Sequence, residues 1–220
     1  MTAGKNLTIE TLRGIAILLV VAGHVIGSAP DGGMKIDFPH PLRYLYLWID
    51  YIQMPLFTAI AGWVYALKPA ALPGGFVVFA RKKAMRLLVP MIVVGTLYFV
   101  IQYLVPGTNN KGDITRMWRI YFFPYTIYWP SLFLIFMIQW CIDRYKKMES
   151  LRQWAVWCVI AILLSVVNDR GMMHVLPNLF SFKGALGQLP YFFAGVGACR
   201  FAREFRGAGC LVRLSLWVAA

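Results

Sequence analysis

Residues 8–27, TIETLRGIAILLVVAGHVIG, decide the fold of this chain. A helix of about 20 mostly apolar residues rises about 30 Å, which is the thickness of the hydrocarbon core of a bilayer. The segment contains Arg13 and His24, which lie within about 20° of one helical face and roughly 16 Å apart along the axis. Ionisable residues in a membrane helix are costly and usually face a protein-lined or watery cavity. We therefore predict a first membrane helix with one polar face.

Simpler interpretations of these two residues stay open at this point. Arg13 is near the start of the span, and its long side chain can extend to the lipid headgroups. His24 can be a hydrogen-bonded packing residue, although its imidazole is too short to reach far. A cleaved signal peptide is another interpretation of the N-terminus. Against it stand the two ionisable residues in or beside the apolar region and the further spans that follow.

Composition indicates an integral membrane protein. Of the 220 residues, 60% are hydrophobic and only 14% are charged, and the mean hydropathy is +0.63, which leaves too little polar surface for a soluble domain. The formal net charge of +13 comes from short basic clusters between apolar runs. Because these clusters form no continuous stripe, we predict no nucleic-acid partner. The four cysteines lack the spacing of metal ligands, and we predict neither a metal site nor a disulfide framework.

Apolar runs separated by polar or basic loops predict an all-α fold, a polytopic transmembrane helical bundle with about six full spans plus a partial seventh. After the first span, we place the others at about 44–67, 87–105, 121–142, 153–167, 181–199 and from 209 onward. With the N-terminus inside, thirteen Lys and Arg residues lie in inner segments and seven in outer ones. Because cytoplasmic loops are enriched in these residues, we predict a cytoplasmic N-terminus and a location in the cell inner (plasma) membrane, surrounded by membrane lipids.

The final apolar run is short. About twelve residues cover only about 18 Å and do not cross the hydrocarbon core. We therefore expect residues 1–220 to form a single integral-membrane domain that is the N-terminal part of a longer, C-terminally truncated fold.

Four local patterns, in this order, resemble acyltransferase family 3, a family of membrane-bound O-acyltransferases. The family opens with an arginine, ten residues and a histidine, which matches Arg13 and His24, and Glu10 precedes the arginine by three residues. The other matching segments are QMPLF at 53–57 followed by AGW at 61–63, KAMRLLVP at 83–90, and the pair YWPSL at 128–132 and LPYFFAG at 189–195. Departures from the family pattern occur at Thr58, Ala61 and Tyr128.

The resemblance implies transfer of an acyl group, commonly acetyl, from cytoplasmic acyl-CoA to a hydroxyl of a sugar or of a cell-envelope glycan. Acetyl-CoA is then a co-substrate, and no tightly bound cofactor is expected. A histidine that takes the proton of the alcohol typically contributes about 10²–10⁴ in rate, and His24 has the appropriate side chain. The same histidine can instead accept the acyl group as a covalent intermediate. The sequence leaves both roles open.

Arg13 and Glu10 are the other candidate catalytic residues. Arg13 is expected to grip a phosphate or to polarise the thioester, and Glu10 is expected to orient Arg13 by a charge-assisted hydrogen bond. A headgroup-level acid is the alternative interpretation of Glu10. The CoA phosphates are expected to bind a basic cluster at the cytoplasmic mouth, in which Arg86 and Lys83 match the family pattern, and positive-inside anchoring is the alternative explanation of such a cluster. The cluster consists of Arg81, Lys82, Lys83 and Arg86.

Asp50 and Trp129 are candidates for contact with the acyl acceptor. A helix-start acid and a membrane-belt aromatic are the simpler interpretations of these residues. Two other function classes also stay open. A membrane transporter or flippase also places polar residues in a central cavity but typically shows internal repeats, and the first helix has no convincing repeat later in the chain. An inactive truncated remnant is the other alternative.

Overall fold

The structure, a computed structural model, describes residues 7–27, 33–67, 75–105, 128–170 and 177–205. These residues include six α-helices with described bounds and one short 3₁₀-helix, with no strand among them, so the all-α prediction is confirmed. The 3₁₀-helix, Leu179–Ser181, directly precedes the last α-helix. The α-helices are α1 (Leu7–Ile26), α2 (Pro41–Ala66), α3 (Gly75–Leu104), α4 (Tyr128–Arg144), α5 (Leu151–Asp169) and α6 (Phe182–Arg200).

Three of the described helices are long and apolar enough to cross a membrane. The spans lie at Ile9–Ile26 in α1, Gly75–Ile101 in α3 and Leu151–Asp169 in α5. They support an integral membrane protein, while the predicted total of six full spans plus a partial seventh stays a prediction. The partial span from 209 onward lies outside the described residues.

The start of α3 differs from the prediction. The hydropathy pattern places this span at 87–105, but the helix begins at Gly75. The basic cluster therefore belongs to the helix and not to a loop before it. Arginine and lysine are good helix formers, so a charged stretch lowers hydropathy without ending the helix.

α6 is the centre of the packing. It contacts α2 most extensively, then α5 and α4, while α1 packs on α2 and α3 packs on α4. Phe192 and Phe193 of α6 and Ile135 of α4 are fully buried in the main hydrophobic cluster. The core therefore surrounds α6, and α1 is attached to it through α2.

α2 and α6 approach each other so closely that glycine is required at the contact. A Cβ atom added to Gly62 would collide with the carbonyl oxygen of Phe192, and one added to Gly195 would collide with the carbonyl oxygen of Ala59. Small residues allow membrane helices to approach at backbone distance and so increase van der Waals contact. Two of the segments that carry the sequence resemblance, AGW and LPYFFAG, thus meet at this crossing.

We expect the Gly195→Ala variant to be less stable than the parent by about 1–3 kcal/mol, the usual cost of overpacking. The added methyl group would overlap the Ala59 carbonyl oxygen and push α2 and α6 apart. Gly187→Ala is the matched control on the same helix, because a Cβ atom at Gly187 meets no atom within 4 Å. Thermal unfolding in detergent measures the difference. A melting temperature of Gly195→Ala equal to that of the parent would contradict the close crossing.

Candidate functional site

The C-terminal end of α1 is held against α2 by two contacts. Gly23 lies so close to α2 that a Cβ atom built on it would be 3.1 Å from Oε1 of Gln53. Beyond the end of the helix, Nη1 of Arg43 donates a hydrogen bond to the carbonyl oxygen of Gly27 at 2.7 Å. His24 lies between these two anchors in the sequence. Its backbone is therefore positioned by α2.

The imidazole of His24 is oriented by its own helix. Its Nδ1 is 2.8 Å from the carbonyl oxygen of Val20, one turn earlier. Because a carbonyl oxygen only accepts, the hydrogen of the neutral ring must be on Nδ1, which leaves the lone pair on Nε2. The side chain is exposed and lies about 80° around the helix from Ala16, the fully buried residue of α1. Nε2 is therefore an accessible proton acceptor beside the contact between α1 and α2.

Arg13 and Glu10 form an ion pair on the same side of α1. Nη1 of Arg13 is 3.0 Å from Oε1 of Glu10, and the two side chains are 40% and 49% exposed. An exposed pair of this kind contributes little to stability, so its main effect is to orient the guanidinium. Arg13 lies about 60° around the helix from Ala16, in the same direction as His24. The structure thus brings Glu10 to Arg13 and places Arg13 and His24 on one flank of α1.

The four cations of the basic cluster are not equivalent. Arg81, Lys82 and Arg86 are exposed. Lys83 turns toward α4, where its Nζ is 3.4 Å from the ring centroid of Phe136. A cation over an aromatic face is attracted by the ring quadrupole, so Lys83 connects α3 to α4. The sequence grouped these residues by proximity, but the helical period turns Lys83 about 200° away from Arg81.

Asp50 is on the helix that holds α1. It lies nine residues after the first residue of α2, Pro41, so the simpler interpretation as a helix-start acid is wrong. Its Oδ1 accepts hydrogen bonds from the Tyr46 hydroxyl at 3.4 Å and from Nε2 of Gln53 at 3.3 Å. Trp129 is 42% exposed at the start of α4, a helix whose main contacts are with α3 and α6.

A charge cluster at the opposite end of α2 was not predicted, because the predicted spans end at 142 and 199 and so leave Asp143 and Arg200 in the loops that follow them. Nη1 and Nη2 of Arg200 donate to the two carboxylate oxygens of Asp143 at 2.8 and 2.6 Å. The Tyr65 hydroxyl and Nε2 of Gln139 donate to the same carboxylate at 2.9 and 3.0 Å. Asp143 thus joins the C-terminal ends of α2, α4 and α6. The available signal was an acidic residue directly after an apolar run in a chain with only nine acidic residues.

The fold and this polar flank describe a helical membrane protein with a histidine available for proton transfer. The chain matches the acyltransferase domain of acyltransferase family 3 over residues 6–219. It therefore belongs to this family, which confirms the resemblance of the local segments, and it is a membrane acyltransferase with an acyl donor and an acyl acceptor as substrates. No curated protein and no solved structure matches the chain.

We expect Asp143→Asn and Arg200→Met each to destabilise the fold by about 3–5 kcal/mol, because either change leaves a largely buried charge without its partner. The side chains of Arg200 and Asp143 are only 20% and 14% exposed. The double variant should lose less than the sum of the two single variants, since the residues act as a pair. Chemical unfolding in detergent measures these differences.

The exposed pair on α1 is the matched control for this experiment. Glu10→Gln should change stability by less than about 1 kcal/mol. An Asp143→Asn variant that unfolds like Glu10→Gln would contradict the structural role of the charge cluster.

Proposed function

We propose that the chain is an acyl-CoA-dependent O-acyltransferase that moves an acyl group, acetyl in the simplest case, from cytoplasmic acyl-CoA to a hydroxyl of a sugar or cell-envelope glycan. The observation that carries this proposal is the orientation of His24, whose Nδ1 is bound to the Val20 carbonyl oxygen. This bond leaves Nε2 as the proton acceptor on an exposed flank of α1. Membership of an acyltransferase family supports transfer of an acyl group.

In the proposed reaction, His24 acts as a general base. Its Nε2 takes the proton of the acceptor hydroxyl while the hydroxyl oxygen attacks the thioester carbonyl carbon. The carbon–sulfur bond then breaks, the acyl group stays on the acceptor oxygen, and the CoA sulfur leaves with the proton that His24 returns. The Val20 carbonyl oxygen accepts a hydrogen bond from Nδ1–H of His24. This bond keeps the ring in place and stabilises the imidazolium that forms transiently. The same Nε2 would carry the acyl group in the covalent alternative.

The acyl donor is proposed to lie along the polar flank of α1. Arg13, oriented by Glu10, is roughly 16 Å from His24 along the axis, and the extended pantetheine arm of CoA suits such a gap. With the N-terminus of α1 in the cytoplasm, Arg13 is on the side from which acyl-CoA arrives. The exposed cations of α3 are proposed to bind the CoA phosphates as charged hydrogen-bond donors. These cations are Arg81, Lys82 and Arg86, whereas Lys83 is engaged with Phe136.

His24→Ala should lower the initial rate of acetyl transfer from radiolabelled acetyl-CoA to envelope glycan by about 10²–10⁴-fold, because the general base is lost. The assay uses membranes that contain equal amounts of parent and variant chains. An excess of unlabelled acetyl-CoA should abolish the labelling, and acetyl phosphate should not.

His40→Asn is the control for the histidine assay. His40 is exposed and caps α2 by accepting a hydrogen bond from the Leu42 backbone N–H, a role that asparagine also fills. This variant should transfer acetyl groups at the parent rate. Equal rates for His24→Ala and the parent would exclude His24 as the base, and a parent that transfers no acetyl group from acetyl-CoA would overturn the proposed function.

Arg86→Ala should raise the KM for acetyl-CoA about tenfold with little change in kcat. A phosphate contact remote from the reacting atoms stabilises the bound substrate and the transition state equally, and a hydrogen bond to a charged group contributes about 1.5–3 kcal/mol. Arg152→Ala, which removes an exposed cation of α5, is the control and should leave this KM unchanged. Steady-state kinetics with varied acetyl-CoA measures both, and an equal KM for Arg86→Ala and Arg152→Ala would count against a CoA site on α3.

A further inference from the structure

Gln53 of α2 is buried, and the orientation of its side-chain amide follows from its hydrogen-bond partner. Its side chain is only 5% exposed, and its Nε2 is 3.3 Å from Oδ1 of Asp50. The oxygen and nitrogen of a side-chain amide can be interchanged on geometry alone. Here the carboxylate of Asp50 only accepts, so the amide nitrogen must face Asp50. The amide oxygen, Oε1, consequently points away from Asp50.

Oε1 of Gln53 is a buried acceptor that the described part of the chain does not use. It has no hydrogen-bond partner among the described residues. It lies against α1, 3.1 Å from the Cβ position of Gly23, and Gly23 directly precedes His24. The backbone N–H groups within α1 are occupied by the hydrogen bonds of the helix itself, so this stretch of α1 offers no donor. A buried oxygen without a donor is costly, and the position of this one beside Gly23 and His24 makes it a candidate acceptor for a ligand donor.

Two acceptor atoms thus occur at the same end of the contact between α1 and α2. Nε2 of His24 carries a lone pair because its Nδ1 is bound to the Val20 carbonyl oxygen, and Oε1 of Gln53 carries another. Two acceptors fit a ligand that offers two donors. Neighbouring hydroxyl groups meet this requirement, whereas carboxylates and phosphates lack donors when ionised.

We propose that Oε1 of Gln53 accepts a hydrogen bond from a second hydroxyl of the acyl acceptor, next to the hydroxyl that His24 deprotonates. Gln53 is then a specificity-determining residue that selects polyhydroxyl acceptors, and this inference rests on the proposed function. A site that hydrogen-bonds a substrate hydroxyl rejects analogues without it strongly, because its buried polar atom is otherwise left unpaired. Asp50 contributes indirectly by holding the amide of Gln53 in place.

The test uses Gln53→Met, which keeps the length of the side chain and removes the acceptor atom. The KM values for envelope glycan and for acetyl-CoA are measured in membranes that contain the chain. Gln53→Met should raise the KM for glycan at least about tenfold, equivalent to about 1.4 kcal/mol, and leave the KM for acetyl-CoA unchanged. No change in either KM, or a rise in the KM for acetyl-CoA alone, would overturn the proposal.

Gln139→Met is the matched control. Gln139 is also a buried glutamine whose Nε2 binds an aspartate, Asp143, and whose Oε1 has no partner among the described residues. It lies near the opposite end of α2, so Gln139→Met should lower stability without changing the KM for glycan. Thermal unfolding of both variants separates loss of fold from loss of recognition. A rise in the KM for glycan that is equal in both variants would contradict a specific role of Gln53.

A direct measurement of glycan binding distinguishes failure of this inference from failure of the proposed function. The purified chain is titrated with oligosaccharide fragments of the envelope glycan without acyl-CoA, and tryptophan fluorescence reports binding. A parent that binds the fragments about tenfold more tightly than Gln53→Met supports the role of Gln53 even if no acetyl transfer occurs. Equal affinities, or no binding by either chain, would exclude the role of Gln53 even if acetyl transfer is observed.

Discussion

The backbone contact between α2 and α6 is the constraint on which the rest of the structure depends. Lipid chains are as apolar as leucine, so the hydrophobic effect does not drive membrane helices together, and close packing has to replace it. Gly62 and Gly195 permit this packing because neither residue has a Cβ atom to collide with the backbone of the facing helix. α2 in turn holds α1, and α6 holds α4 and α5. The position of His24 therefore depends indirectly on two glycines in other helices.

The polar residues of the bundle fall into two kinds. The Asp143 carboxylate accepts hydrogen bonds from α2, α4 and α6. These bonds join the three helices. Nε2 of His24 and Oε1 of Gln53 are accepting atoms without a protein donor among the described residues. A buried polar atom without a partner is costly. An unpaired hydrogen-bond acceptor in a membrane bundle is therefore a candidate contact for a ligand. The bonds to Asp143 stabilise the fold, and we propose that the two unused acceptors beside the contact between α1 and α2 belong to the acceptor site.

Hydropathy predicted the first helix to within one residue at each end, since residues 8–27 correspond to Leu7–Ile26. It placed the start of α3 twelve residues too late, because hydropathy reports which residues suit hydrocarbon and not where a helix begins. The same limitation led to the assignment of Asp143 and Arg200 to loops. Both residues lie at the C-terminal ends of apolar helices, where the two opposite charges pair with each other.

The sequence by itself determined the helical class, the family, and the shared flank of Arg13 and His24. These properties follow from composition, from local motifs and from the helical period of 3.6 residues, all of which are local in the chain. Only the tertiary structure decided the pairing of Arg200 with Asp143, the contact of Lys83 with Phe136 and the approach of Gln53 to Gly23. Such contacts join residues that are distant in sequence. They depend on how the helices cross, which is set by packing across the whole bundle and is not encoded in any single segment.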